Sequence, residues 1–243
     1  MLQACLNGQR PRDEHPAVPV TPEQLAADGP RVVAAGAVQL HMHPRVAGGG
    51  RDTVEPGAVA ETLRAIRVAC PGVPVGLTTG LWTTDGDAER RHAWVEAWEE
   101  LPDYASVNLF EPGSAELCAL LEARGVGIEA GVWTLDDARL LLERGLAPLR
   151  VLVETGDAGA PDPVAAAAEI DELLAEGGVT APQLHHGAGP STWPVLDAAI
   201  ARGRDIRVGL EDTTAMPDGS TARDNAQLVA EAARRMRASR PQR

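Results

Sequence analysis

Two histidines one residue apart, His41 and His43 in QLHMHPR, and an adjacent acidic pair, Glu211 and Asp212 in RVGLED, are the residues whose types and spacing could do chemistry. Along an extended strand, residues i and i+2 share a face. His41 and His43 therefore turn their imidazoles the same way, with Met42 on the opposite side. Two imidazoles on one face suit a divalent metal, and a carboxylate from elsewhere completes a two-histidine, one-carboxylate set with an open position. Glu211 is the best choice for that carboxylate. The alternative is a pair of hydrogen-bonded histidines where a strand meets its loop. Arg207 lies four residues before Glu211, where it could pair with Asp212 and hold it ionised as a base; a purely structural ion pair is the alternative. Zn²⁺ fits these donors, and Mn²⁺, Fe²⁺ and Co²⁺ can use the same set.

The two stretches are about 170 residues apart, so the fold has to bring them together. Short Val-, Ile- and Leu-rich runs alternate with Ala/Leu/Glu/Arg segments of helical periodicity. The runs predict strands at 2–6, 37–41, 73–77, 104–108, 126–131, 149–153, 182–185 and 205–210. The segments predict helices at about 21–36, 56–70, 86–100, 113–124, 134–144, 162–176, 190–202 and 220–238. Thr21-Pro22-Glu23-Gln24 reads as a capping box with Pro at the first helical position. Gly125, Gly145 and Gly203 stand where helices should stop. Eight strand–helix units in 243 residues match a (β/α)8 TIM barrel, an α/β fold, in a single domain over 1–243 with a frayed end at about 239–243. A doubly wound open sheet is the competitor, but its nucleotide-binding GxGxxG is absent.

A barrel of this kind gathers catalytic side chains at the C-terminal ends of its strands. Seven of the eight expected strands close on, or contain, such a group. His41 and His43 close the second, Thr78-Thr79-Gly80 the third, and Ser106-Val107-Asn108 the fourth. Glu129 lies in the fifth, Glu154-Thr155 closes the sixth, His185-His186 the seventh and Glu211-Asp212 the eighth. Of the adjacent pair His185 and His186, at most one can face the centre. Trp94 and Trp98 read as helix packing.

Composition narrows the chemistry further. All 22 basic residues are arginine, which removes Schiff-base, pyridoxal-phosphate and P-loop lysines. An enzyme that stabilises a carbanion or enolate then needs a metal or a hydrogen-bonding pocket. A net charge of −13 argues against nucleic-acid partners and anionic membranes, though not against a small anionic substrate met by a local Arg cluster. Cys5, Cys70 and Cys118 are odd in number and widely spaced, which fits free thiols in a reducing compartment. With no membrane-length apolar run and no signal-like N-terminus, the expected location is the cytoplasm.

Taken together, ACLNGQRPRDEHPAVPVTPEQLA, VAAGAVQLHMHPR, the LTTG turn, RVGLED and DNAQLV resemble the β-keto acid cleavage enzymes, a family that includes the 3-keto-5-aminohexanoate cleavage enzyme. The resemblance runs in order along nearly the whole chain. It implies a (β/α)8 barrel, a homo-oligomer (dimer or tetramer), and zinc on His41, His43 and Glu211. It also implies acyl exchange, in which a β-keto acid and acetyl-CoA give acetoacetate and a new acyl-CoA. Asp212 with Arg207 would supply acid–base chemistry, with Thr78 and Ser106 also in catalytic roles. Substrate contacts would come from Asn7, Arg45, Thr79, Asn108, Glu129 and His186, and Arg10, Arg12 and Arg45 could form an arginine rim. Two departures stand out: Gln9 aligns with a family Glu, and the stretch from about 144 to 182 is short. Two other readings compete. One is a metal-dependent hydrolase or lyase that does not use coenzyme A, although the amidohydrolase type puts HxH on the first strand and often uses a carboxylated lysine. The other is a zinc-binding barrel without turnover.

Overall fold

A computed structural model describes residues 1–156 and 159–239. Eight parallel strands close into a barrel in chain order, β1-β2-β3-β4-β5-β6-β7-β8. They are β1 (Leu2–Cys5), β2 (Gln39–Met42), β3 (Val75–Thr78), β4 (Tyr104–Asn108), β5 (Gly127–Val132), β6 (Arg150–Glu154), β7 (Gln183–His186) and β8 (Asp205–Val208). The helices between and after them are α1 (Pro22–Ala35), α2 (Pro56–Ala69), α3 (Ala88–Glu96), α4 (Ser114–Ala123), α5 (Leu135–Arg144), α6 (Pro163–Glu176), α7 (Thr192–Ala201) and α8 (Asn225–Ala238). The expected (β/α)8 architecture is therefore the one observed.

Local signals place the helix ends. Thr21 accepts from the Gln24 amide at 3.3 Å while the Gln24 side chain accepts from the Val20 amide at 2.8 Å, fixing the start of α1. Thr134 and Asp137 form a reciprocal capping box at α5, which ends on Gly145 with φ of 60°. Alternate strand residues, among them Leu40, Met42, Leu77, Val107, Val153 and Val208, point outward into one apolar core shared with the helices.

The lower interior of the barrel is polar, where branched aliphatic layers are usual. Gln3 donates to Glu129 Oε1 at 2.7 Å and reaches the Tyr104 hydroxyl at 3.1 Å, and Tyr104 donates to the Leu40 carbonyl at 2.6 Å. Arg150 Nε lies 3.0 Å from Glu129 Oε1, with its guanidinium 4.9 Å from the centre of the Tyr104 ring. Gly76 makes room for that ring, since a Cβ there would collide with it. This network is the floor on which the site stands.

Several expected boundaries move. β8 ends at Val208, not 210, because the amides of Asp212 and Thr213 both turn back to the Gly209 carbonyl at 3.0 Å. α3 is shorter than 86–100: Asp87 caps its start, and beyond its end Trp98 turns inward to donate to the Val54 carbonyl at 2.8 Å. α8 begins at Asn225 rather than 220, capped by Asp224. The expected frayed end lies outside the described residues except for Ser239, the C-cap of α8.

The turn after β8 depends on one close approach. A Cβ at Gly209 would collide with the Cys5 carbonyl oxygen across the β1–β8 seam. Gly209→Ala is expected to lower the unfolding free energy by roughly 1–3 kcal/mol, the usual cost of overpacking. Urea denaturation would read this as a lower midpoint, and an unchanged midpoint would mean that the seam has slack.

Candidate active site

A cavity of about 540 Å³ opens at the C-terminal end of the barrel. Eight of the sequence-nominated residues line it: His41, His43, Thr78, Ser106, Asn108, Arg207, Glu211 and Asp212. Gln9 and Arg10 join them from the β1–α1 loop, and Glu154 from the end of β6. The other nominated residues stand behind the wall. Asn7 clamps the backbone of His43, accepting from its amide and donating to its carbonyl, both at 2.9 Å. Arg45 donates to the Gly8 and Arg10 carbonyls at 2.8 Å each, which ties the loops after β1 and β2 together. Thr79 donates to the Ser106 carbonyl at 2.6 Å. Glu129 belongs to the floor. His186 is the inward member of its pair, with Nε2 3.2 Å from Glu154 and Nδ1 3.2 Å from Asp212, whereas His185 faces Gln183 at 2.9 Å.

His41, His43 and Glu211 each offer a ligand atom, all within 4.8 Å of one another. His43 Nε2 is 3.3 Å from Glu211 Oε1, and His41 Nε2 is 4.0 Å from Glu211 Oε2. His43 can face Glu211 because its other nitrogen, Nδ1, is held by Asp52 at 2.6 Å. Trp82 stacks on the His43 ring with centroids 6.1 Å apart, and its indole N–H reaches Asp52 at 3.3 Å. Glu211 and Asp212 both face inward because the chain turns at Gly209; on a continued strand they would point to opposite sides. Arg207 Nη2 donates to Glu211 and to Asp212, the latter at 3.2 Å. The second oxygen of Asp212 meets the Cys5 sulfur at 2.7 Å.

The electrostatics follow from burial and charge. Burial holds His41 well below the usual imidazole range, so it is neutral and able to ligate. Burial also opposes charge on His43, but Glu211 and Asp52 outweigh it and raise His43 to about 9. Burial opposes the carboxylates too; Arg207, with His43, holds Glu211 well below its ordinary value, and Arg207 with His186 holds Asp212 down. His186 is raised to about 10, where Asp212 and Glu154 overcome burial and Arg207.

A family model described as beta-keto acid cleavage enzyme matches residues 1–241. The chain belongs to that family. The 3-keto-5-aminohexanoate cleavage enzyme of Fusobacterium nucleatum is 25% identical over 259 residues, covering 94% of this chain and 88% of the relative. Among solved structures, ObcA in a ternary complex with a C4-CoA adduct and oxalate is similar with a TM-score of 0.71 at 18% identity, and ObcA with oxaloacetate with 0.70 at 18%. They cover 92% and 90% of this chain, which in turn spans 64% and 63% of the ObcA chain, under two thirds of its length. The 3-dehydroquinate dehydratase of Aquifex aeolicus has a TM-score of 0.61 at 14% identity, covering 98% of each chain.

As a member of this family, the chain has donors that fit a divalent metal. Two imidazoles and a carboxylate are the ligand types zinc takes, and donors about 2.0–2.2 Å from a tetrahedral ion stand roughly 3.3–3.5 Å apart. Glu211 Oε2 is buried without a hydrogen-bond partner, an unmet acceptor that a cation would satisfy. Asp52 supplies the carboxylate behind a ligating histidine that orients such rings. Asp52, Trp82 and Cys5 are the neighbours that sequence reasoning missed. His43 followed nine residues later by a loop Asp carries no periodic signal, and only the inward register of β1 could have pointed to Cys5.

Two results are expected from metal titration against a chelating dye. His41→Ala/His43→Ala should lose stoichiometric divalent metal, and Asp52→Asn should bind it about 10–100-fold more weakly while keeping the fold. Unchanged affinity in Asp52→Asn would remove Asp52 from the site.

Proposed function

We infer that this chain exchanges acyl groups between a β-keto acid and acetyl-CoA, giving acetoacetate and a new acyl-CoA. The observation that carries the reading is the convergence, in one cavity, of the His41/His43/Glu211 donor set and an ionised Asp212 held by Arg207. Family membership supplies β-keto acid cleavage, and the C4-CoA adduct bound in the ObcA ternary complex supports a thioester partner.

His41, His43 and Glu211 would hold the metal, with zinc the best match to the donors. When bound, it supplies Lewis acidity that favours negative charge on the keto oxygen. This suits a chain without lysine, which has no Schiff base to draw on.

The remaining work falls to the chain's own residues. Asp212 takes the proton from the carbon between the keto group and the carboxylate. That carbon attacks the acetyl-CoA carbonyl and expels the coenzyme A thiolate. The thiolate attacks the original keto carbon, the bond between the keto carbon and the deprotonated carbon breaks to leave the new acyl-CoA, and Asp212 returns the proton to the acetoacetate carbanion. Arg207 keeps Asp212 ionised, and its donation to Oδ1, with the Cys5 contact on Oδ2, fixes the carboxylate's orientation. Thr78 and Ser106 offer hydroxyls to the keto acid, and Asn108 stands on the same wall. Arg10, on the rim, offers a cation to the substrate carboxylate, with Gln9 beside it. Asn7, Arg45 and Thr79 act from behind by holding backbone, His186 by holding Asp212 and Glu154, and Glu129 from the floor beneath His41.

The test is a panel of β-keto acids with acetyl-CoA, read as acetoacetate formed by metal-loaded protein. Wild type should turn over at least one of them. Asp212→Asn should lower kcat by about 10²–10⁴-fold, the range of a lost general base, while metal content stays the same. Acetoacetate formation by Asp212→Asn at the wild-type rate would remove Asp212 from the chemistry, and no product from any keto acid would sink the reaction class.

A further inference from the structure

In the reading above, the reacting end of the keto acid lies along one side of the barrel. The metal donors come from β2 and from the turn after β8, and Asp212 follows Glu211 in that turn. Strands run around the closed barrel in chain order, so the ends of β4, β5 and β6 stand on the opposite side. The part of the keto acid beyond its keto carbon therefore meets that far wall.

Two residues of the far wall stand side by side. Trp133 directly follows β5 and Glu154 ends β6, one step beyond the Val132–Val153 pair of the ladder. Four residues earlier on the same two strands, Glu129 and Arg150 meet inside the barrel, so the strand period of two directs Trp133 and Glu154 inward as well. Both line the cavity. Trp133 is fixed from behind: its backbone amide donates to Asp137 at 3.0 Å, and the edge-on ring of Phe110 lies 5.4 Å from its own. Its indole N–H is buried without a hydrogen-bond partner. Glu154 has one neighbour of opposite charge, His186 Nε2 at 3.2 Å.

The charges on this wall are already answered. Among the described residues, two carboxylates line the cavity besides Glu211 and Asp212, and each has a cation of its own. Arg10 pairs with Glu14, and His186 with Glu154. The far wall thus offers an acceptor and an unmet donor next to each other, without a free negative charge. An ammonium group there would compete with His186 for Glu154 and leave the indole N–H unmet. A methyl group would leave both unmet, which is costly in a buried site. A hydroxyl both donates and accepts, so it serves both partners.

We propose that the acyl end of the β-keto acid carries a hydroxyl group that donates to Glu154 and accepts from the Trp133 indole; this rests on the β-keto acid reading above. Glu154 and Trp133 then set specificity at the end of the substrate away from the bond that breaks. A site built to hydrogen-bond a hydroxyl discriminates against the analogue that lacks it far better than an apolar pocket discriminates by size.

The test uses three β-keto acids that differ in one group, a methyl, a hydroxyl or an ammonium on the second carbon beyond the keto carbon. Their binding to metal-loaded protein without thioester would be measured by calorimetry, and kcat/KM with acetyl-CoA by acetoacetate release. Wild type should prefer the hydroxyl acid to the methyl acid by about 10–100-fold, the range of a hydrogen bond to a charged group. Glu154→Leu should bring that ratio to about one, and Trp133→Phe, which keeps a ring but removes the N–H, should lower it severalfold. Glu154 also touches His186, so its replacement can lower overall activity; a ratio taken within one protein is not moved by such a loss. A wild type that binds the methyl or ammonium acid as well as the hydroxyl acid, or variants that keep the wild-type ratio, overturn the assignment. A hydroxyl preference in binding that Glu154→Leu abolishes, beside a wild type that releases no acetoacetate, supports the subsite and sinks the reaction proposed above.

Discussion

Arg207 is buried with its guanidinium against two adjacent carboxylates, and the site depends on that arrangement being balanced. Removing three charges from water costs several kcal/mol per ion unless each finds partners. One guanidinium cannot neutralise two carboxylates. The remaining negative charge sits on Glu211 and Asp212, and together with Asp52 and Glu154 it draws positive charge to His43 and His186. Without metal, a proton on His43 answers Glu211. A divalent ion on the same three donors answers it more strongly, at the cost of that proton, so metal binding and protonation compete for one position. The buried ion cluster is thus a template for a cation.

Geometry is kept by backbone clamps more than by the strands themselves. β1 runs between the two strands that carry the donors, and its end is fastened to both. Asn7 grips the His43 backbone at two points, extending the pairing of β1 and β2 past the last ladder bond. On the other side, Asn225 accepts from the Leu210 amide and donates to the Leu6 carbonyl and Asp28, all at 2.7 Å. That triple contact fixes the turn from Gly209 to Asp212, and the turn in turn sets where Glu211 meets His43. The Asn of DNAQLV is therefore far from the chemistry in sequence but one residue away from it in structure.

Much of the molecule could be read from the chain alone. The eight units followed from alternating periodicity and capping, and the donor pair followed from the strand period of two at His41 and His43. The acidic pair was legible, but the reason both members face inward was not: a strand drawn to 210 would have sent Glu211 and Asp212 to opposite sides. Hydrophobicity marks where a strand is buried, whereas its end is set by where the backbone leaves the ladder. The roles of Asn7, Arg45 and Thr79 were hidden for a related cause. Polar side chains near a strand end look alike in sequence whether they face substrate or satisfy a neighbouring carbonyl. Here their hydrogen bonds go to backbone amides and carbonyls of the loops around the cavity.

The frame itself does not choose the reaction. A chain with the same architecture and 14% identity carries the name of a dehydratase, and the eight-stranded barrel is common ground for many activities. What separates this chain is which strand ends carry which groups. Two imidazoles leave β2, a turned carboxylate pair leaves β8, and β1 lies between them with the Cys5 thiol against Asp212. Because β1 pairs with both strands, a shift of one residue in either register would exchange His41 for Leu40 or Arg207 for Val208 on the inner face. The apolar core outside the barrel forbids that shift, since it would bury an imidazole or a guanidinium among the helices. The packing that stabilises the fold is therefore also what holds the imidazoles, Arg207 and the carboxylate pair on one face.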